Sequence, residues 1–172
     1  IEIAIYKDPQ APVVADDDQN TYLFMQLSSL LVLLYAIFDF TTYGWTRLIS
    51  LEPWVIYAGF AVFLINVLVR YAALTRLGSY YNLRVALYQE HHLVQTGIYR
   101  YIRHPMYLSA LLNSLAVALI FSSWGALLGI LVLVIPAVLK RIRVEEAFML
   151  EHFPEEYSAY QQNSKRIIPG IW

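Results

Sequence analysis

An all-α, polytopic membrane bundle is the fold class this chain predicts, on three observations. The 172 residues are 59% hydrophobic and only 15% charged, whereas soluble domains are roughly 45–50% apolar and about 25% charged. Mean hydropathy is +0.50, more apolar surface than one soluble core of this size can hide. Finally, the apolar residues fall in four long runs, 22–40, 54–74, 106–123 and 124–139. None alternates with the period of two expected of a membrane barrel. A spanning segment in lipid must close its own backbone hydrogen bonds, so runs of this length predict helices.

Residues 1–20 are polar and carry Asp16, Asp17 and Asp18; no cleavable signal is expected there. A bilayer core about 30 Å thick needs roughly 20 helical residues. The first run, uncharged until Asp39, meets this, and so does the second, which continues past Arg70 to about Leu74. The third and fourth are shorter and adjoin at Ser122-Ser123-Trp124-Gly125. They predict a tight helical hairpin, brought to spanning length by the flanks 102–105 and 140–144. About four spans result, and Pro136 predicts a kink in the last.

Beyond the fourth run, Val144, Ala147, Phe148, Leu150, Phe153, Tyr157 and Tyr160 recur at helical spacing among Glu145, Glu146, Glu151, Glu155 and Glu156. This predicts a C-terminal cytoplasmic amphipathic helix over 144–160, interrupted at Pro154. That proline suits the first position of a new helical segment, with acids in the first turn. The tail 166–172 is apolar and expected to pack back on the protein or the interface. One membrane domain over 1–172 is the expected organisation: a polar segment 1–20, two transmembrane helices within 22–74, and a half at 89–172 that carries the unusual polar residues.

Charge restricts partners and sets orientation. The net charge is −1, so no basic field exists to hold nucleic acid. No cysteine is present, which excludes disulfides, thiolate metal sites and a cysteine nucleophile. Arg70, Arg76, Arg84, Arg100 and Arg103 lie between runs two and three, and Lys140, Arg141, Arg143, Lys165 and Arg166 follow run four. The loop between runs one and two has only Arg47. The basic side is the cytoplasmic one by the positive-inside rule, with Trp45, Trp54, Tyr57 and Trp124 as anchors at the other interface.

Chemistry is expected where polar residues meet the membrane edge. Residues 91–107 read H-H-L-V-Q-T-G-I-Y-R-Y-I-R-H-P-M-Y. Arg103-His104-Pro105-x-Tyr107 either anchors a helix start at the headgroups or offers donors and free helix N–H groups to an anion. Arg141 and Glu145, four apart, share a helix face. They form either a solvated pair of small value or a functional pair at membrane depth. No metal site is expected, since the histidines lack ligand spacing. Neither a hydrolase elbow nor a nucleotide-binding glycine loop is present. Asn66 and Asn113 read as helix–helix hydrogen-bond partners.

The ordered set H-x-L-V-x-x-G-x-Y-x-x-x-R-H-P-x-Y, a hydrophobic hairpin, R-x-x-x-E-E and F-x-E-E-Y-x-x-Y resembles the isoprenylcysteine carboxyl methyltransferases and their phospholipid-methyltransferase relatives. The resemblance covers about half the chain, from Glu90 onward. It implies an integral membrane methyltransferase using S-adenosylmethionine, with 89–172 as the cofactor-binding, catalytic half and the active site on the cytoplasmic side. Carried over to matching positions, His91, His92, Leu93, Val94, Tyr99, His104, Pro105, Met106, Tyr107 and Glu145 would contact the cofactor. Arg141 would bind the substrate near the reacting end, and Arg141 and Glu145 form the catalytic pair. The acceptor is expected to be a lipophilic or prenylated molecule entering from the bilayer, among the membrane lipids; carboxyl methylation is the first expectation, phospholipid N-methylation an alternative. Methyl transfer from a sulfonium is an in-line displacement, so positioning and desolvation are the tasks. A carboxylate acceptor needs no base and suits Arg141; an amine or thiol would need one, for which a histidine is available. Two other readings compete: an NADPH-dependent sterol-reductase-like protein, which shares the R-H-P-x-Y motif but belongs to larger bundles, and a non-enzymatic membrane scaffold.

Overall fold

The computed structural model describes residues 13–16, 20–48, 53–78, 86–88 and 93–168. Its helices are α1 (Thr21–Thr41), α2 (Trp54–Leu77), α3 (Pro105–Ile120), α4 (Trp124–His152) and α5 (Pro154–Asn163). α1, α2 and α4 are long and apolar enough to cross a membrane, whereas α3 has 16 residues, about 24 Å at 1.5 Å per residue. The chain is therefore a helical integral membrane protein. Its outer faces agree: Leu31 of α1, Leu64 of α2 and Leu131 of α4 are 57%, 61% and 61% exposed, a surface that suits lipid rather than water.

One face of α1 is buried, through Thr21, Met25, Ser28, Val32, Ala36 and Asp39, spaced three and four apart as a helix requires. It packs on α4 in a core that includes Ile130, Val134, Ala137, Val138 and Ile142, with Ala118 of α3. Ile167 of the tail enters the same core, so the tail packs back on the protein. Small residues at these contacts let the backbones approach. The same device joins α2 to α3: a Cβ on Gly59 would lie 2.8 Å from the backbone nitrogen of Ile120.

Three details differ from the sequence reading. First, α4 does not stop near Leu139 to be followed by a separate amphipathic helix; it runs unbroken to His152. Nothing between Lys140 and His152 breaks a helix, and the only interruption is Phe153, after which Pro154 opens α5 with Glu155 and Glu156 in its first turn. Second, Pro136 is accompanied by a π turn over Ile130–Val134, in which the Ile135 N–H reaches the Ile130 carbonyl. A helix carrying a proline loses one N–H donor, and a widened turn is one way to absorb it. Third, a short antiparallel ribbon pairs Val13–Asp16 with Ala86–Tyr88, Asp16 opposite Ala86. Strands of three and four residues are too short to leave a periodic signal in sequence.

The two ends of the bundle are closed differently. At one end Asp39, buried in the last turn of α1, accepts hydrogen bonds from the backbone N–H groups of Trp45 (3.0 Å) and Thr46 (3.2 Å) and from the Thr46 hydroxyl (2.6 Å). Thr46 in turn meets the Ser123 hydroxyl at 2.8 Å in the α3–α4 turn. This fixes the tight turn at 121–123, where Ser122 takes a left-handed φ of 50°. Basic residues and the sequence-predicted site residues gather at the other end.

Candidate functional site

The entry to α3 builds the site. Leu93 and Val94 lie half-buried in an extended segment, followed by a 3-10 turn over Gly97–Arg100. Gly97 has φ 62°, and a Cβ there would sit 2.9 Å from the Arg76 Cγ, so glycine serves both the conformation and the packing. Tyr99 is buried, and its carbonyl accepts the Tyr160 hydroxyl of α5 at 2.6 Å. Burial pushes the Tyr157 and Tyr160 phenols well above the ordinary tyrosine range, so both stay neutral hydroxyls.

Arg103 and His104 are held from the C-terminal tail. The Arg103 N–H donates to the Lys165 carbonyl (2.7 Å), the His104 N–H to the Arg166 carbonyl (3.0 Å), and the Lys165 N–H to the Tyr101 carbonyl (3.0 Å). His104 then caps α3, with the fully buried Pro105 as its first helical residue, where a missing N–H costs nothing. Met106 follows, half-buried.

Two adjacent carboxylates on α4 divide the work. Glu146, 5% exposed in its side chain, is enclosed by cations. Arg103 Nε donates to its Oε1 at 3.0 Å, His104 Nε2 lies 3.2 Å from the same oxygen, and Arg166 reaches Oε2 at 2.8–2.9 Å. Both oxygens are committed, so this carboxylate is structural. Glu145 is turned by about 100° along the helix and its side chain is 27% exposed. Its Oε2 accepts the Tyr107 hydroxyl, while Oε1 has only the His104 Nδ1 at 3.8 Å. Oε1 therefore keeps lone pairs for another donor.

Arg141 completes the cluster. It is 3% exposed. Its Nε donates to the Tyr107 hydroxyl at 3.0 Å and one terminal nitrogen to the Thr21 hydroxyl at 2.9 Å. Its guanidinium lies 6.0 Å from the Tyr22 ring. The spacing predicted an Arg141–Glu145 pair; the structure brings the two together on the Tyr107 hydroxyl, with His104 stacked 5.5 Å from the Tyr107 ring. Tyr107, His104, Arg141 and Glu145 thus converge from two helices, with Thr21 supplied by a third.

Of the sequence-predicted residues, Tyr99, His104, Pro105, Met106 and Tyr107 share the short stretch leading into α3, and Arg141 and Glu145 face it. Leu93 and Val94 precede it in the same segment. His91 and His92 lie outside the described residues. Among the described residues no group of three or more His, Cys, Asp or Glu side chains could hold a metal. Sequence reasoning missed Glu146, Arg166 and Thr21. The doubled acid at 145–146 was the available signal: adjacent residues on a helix face different ways, so the two had to have different partners. The donor set suits a zwitterionic, hydroxyl-bearing cofactor: a carboxylate with an open oxygen for an ammonium or ribose hydroxyl, an aromatic wall, and a buried guanidinium for a carboxylate.

Comparison with known proteins gives consistent results. The family described as isoprenylcysteine carboxyl methyltransferase matches residues 58–151. Protein-S-isoprenylcysteine O-methyltransferase A of Arabidopsis thaliana is 30% identical over 120 residues, 69% of this chain and 61% of the plant protein. The Saccharomyces cerevisiae protein-S-isoprenylcysteine O-methyltransferase is 33% identical over 82 residues, 48% of this chain and 34% of the yeast one. A solved eukaryotic intramembrane Ras methyltransferase matches with a TM-score of 0.64 at 23% identity, over 90% of this chain and 54% of its own; at that identity the likeness bears on the fold. The chain thus spans about three-fifths of the plant relative and about half of the solved one.

Proposed function

Because the chain belongs to the isoprenylcysteine carboxyl methyltransferase family, we propose that it transfers a methyl group from S-adenosylmethionine to a lipophilic acceptor, most simply the carboxylate of an isoprenylcysteine-type molecule. The observation that carries this reading is the convergence of Arg141 and Glu145 on the Tyr107 hydroxyl, at the end of the bundle where lipid-facing helices meet the tail. S-adenosylmethionine supplies an already activated methyl on its sulfonium. The protein's part is to bind, orient and desolvate.

In this proposal Glu145 receives the cofactor's ammonium or ribose hydroxyls through Oε1. His91, His92, Leu93, Val94, Tyr99, His104, Pro105, Met106 and Tyr107 form the cofactor's wall, several of them by backbone. Arg141, fixed by Tyr107 and Thr21, holds the acceptor carboxylate through its remaining N–H groups. A carboxylate attacks without losing a proton, so no general base is needed. The site faces the cytoplasm, the side on which Lys and Arg accumulate, and the acceptor arrives from the bilayer.

Transfer of labelled methyl from S-adenosylmethionine to a prenylated cysteine thioether tests this. The expected product is a methyl ester, whose label is released as methanol by alkali. Label retained in an alkali-stable product would move the reaction to nitrogen or sulfur.

A further inference from the structure

A membrane-level cleft of about 220 Å³ lies between α1 and α3, lined by Gln26, Ser29 and Leu33 on one side and Asn113, Ser114 and Val117 on the other. Both walls lead to Arg141. On α1, Tyr22, Gln26, Ser29 and Leu33 follow at helical spacing from the ring beside the Arg141 guanidinium. On α3, Tyr107, Ser114 and Val117 share a face with the hydroxyl that accepts from Arg141. At 1.5 Å per residue, Gln26 lies about 6 Å beyond Tyr22, and Ser29, Asn113 and Ser114 lie about 9–10 Å beyond the level of the cluster.

The lining is polar where a hydrocarbon needs no polarity. Gln26 Nε2 donates to the Tyr22 hydroxyl at 2.7 Å, and Ser114 to the Ala110 carbonyl at 3.1 Å. Asn113 accepts from Asn66 at 3.4 Å, which engages its oxygen and leaves its amide N–H groups without a partner among the described residues. Ser29 likewise makes no hydrogen bond among them. Uncompensated donors in a water-poor setting are costly, and a carbonyl oxygen relieves both. We propose that this cleft receives the acceptor's tail and selects a tail carrying an ester or amide carbonyl about 6–10 Å from the methyl-accepting atom, over a tail that is hydrocarbon throughout. This rests on the methyl-transfer reading above.

Two acceptors test it: a thioether carboxylate with an all-hydrocarbon tail, and the same molecule with an amide replacing two methylenes about 6–10 Å from the carboxylate. The protein is expected to favour the amide-bearing acceptor by about tenfold in kcat/KM, equivalent to about 1.4 kcal/mol. In Asn113→Leu and in Ser29→Ala the preference should fall to about twofold, with S-adenosylhomocysteine binding retained as the sign of an intact fold. Equal use of the two acceptors by the unaltered protein, or a preference unchanged in both variants, overturns the proposal while leaving methyl transfer standing. A cleft occupied by a second copy overturns it too, and would show as a detergent-stable dimer dissociated by Asn113→Leu. Absence of transfer to either acceptor, together with no S-adenosylhomocysteine binding, defeats the methyltransferase reading itself.

Discussion

Arg141→Ala is expected to lower methyl transfer by about 10²–10³-fold, the usual cost of removing one preorganised donor from a developing reaction centre. The reason lies in how the side chain is held. Arg141 is buried, with Nε on Tyr107 and a terminal nitrogen on Thr21, so its orientation is set before any acceptor arrives. Cofactor affinity should change by no more than about threefold, because the carboxylate assigned to the cofactor is Glu145. Arg141→Lys should not restore the rate. An ammonium cannot contact Tyr107, Thr21 and an acceptor carboxylate together in the planar geometry a guanidinium provides. Kinetics with separate cofactor titration checks both statements. Equal losses in cofactor affinity and in rate would make Arg141 a cofactor residue.

Glu146→Ala is expected to reduce stability by about 3–5 kcal/mol, the cost of removing one partner from a buried ionic cluster. Arg103, His104 and Arg166 would all lose the same carboxylate. The loss should spread along the seam where the tail is stitched to the start of α3. The amides of Arg103, His104 and Lys165 make the backbone bonds of that seam, and they should exchange with solvent sooner than those of α1. Glu146→Gln should be milder, since it keeps the shape and one acceptor oxygen. Thermal unfolding in detergent and hydrogen exchange measure these effects. An unchanged melting temperature in Glu146→Ala would show that the tail is held by its backbone pairing alone.

Much of the fold was legible because bilayer thickness and helix geometry leave strong marks. The run at 22–40 became Thr21–Thr41, and the run beginning at Trp54 became Trp54–Leu77. Pro105 and Pro154 both open helices, as proline at a first helical position should. The length of α4 was not legible. Its composition turns from apolar to charged near Lys140, which looked like a boundary, yet backbone helicity does not depend on which solvent the side chains face.

The site was legible in its spacing and less so in its wiring. Arg-His-Pro-x-Tyr and Arg-x-x-x-Glu marked the residues that now face each other, because each lies within a turn or two of helix. Arg166 meeting Glu146, and Thr21 meeting Arg141 from 120 residues away, follow from tertiary packing that no local period encodes. The polar cleft residues were similarly hidden. Asn113 was expected to join helices, and it does contact Asn66, but its opening toward α1 depends on how α1 and α3 are set against each other.

The cofactor assignment is tested most directly by calorimetry of the purified protein in detergent with S-adenosylmethionine and S-adenosylhomocysteine, repeated on Glu145→Ala. The native protein should bind both ligands, and Glu145→Ala, still folded, should bind neither. No binding by the native protein alongside clear binding of NADPH would contradict the assignment, and unchanged affinity in Glu145→Ala would remove that carboxylate from the site.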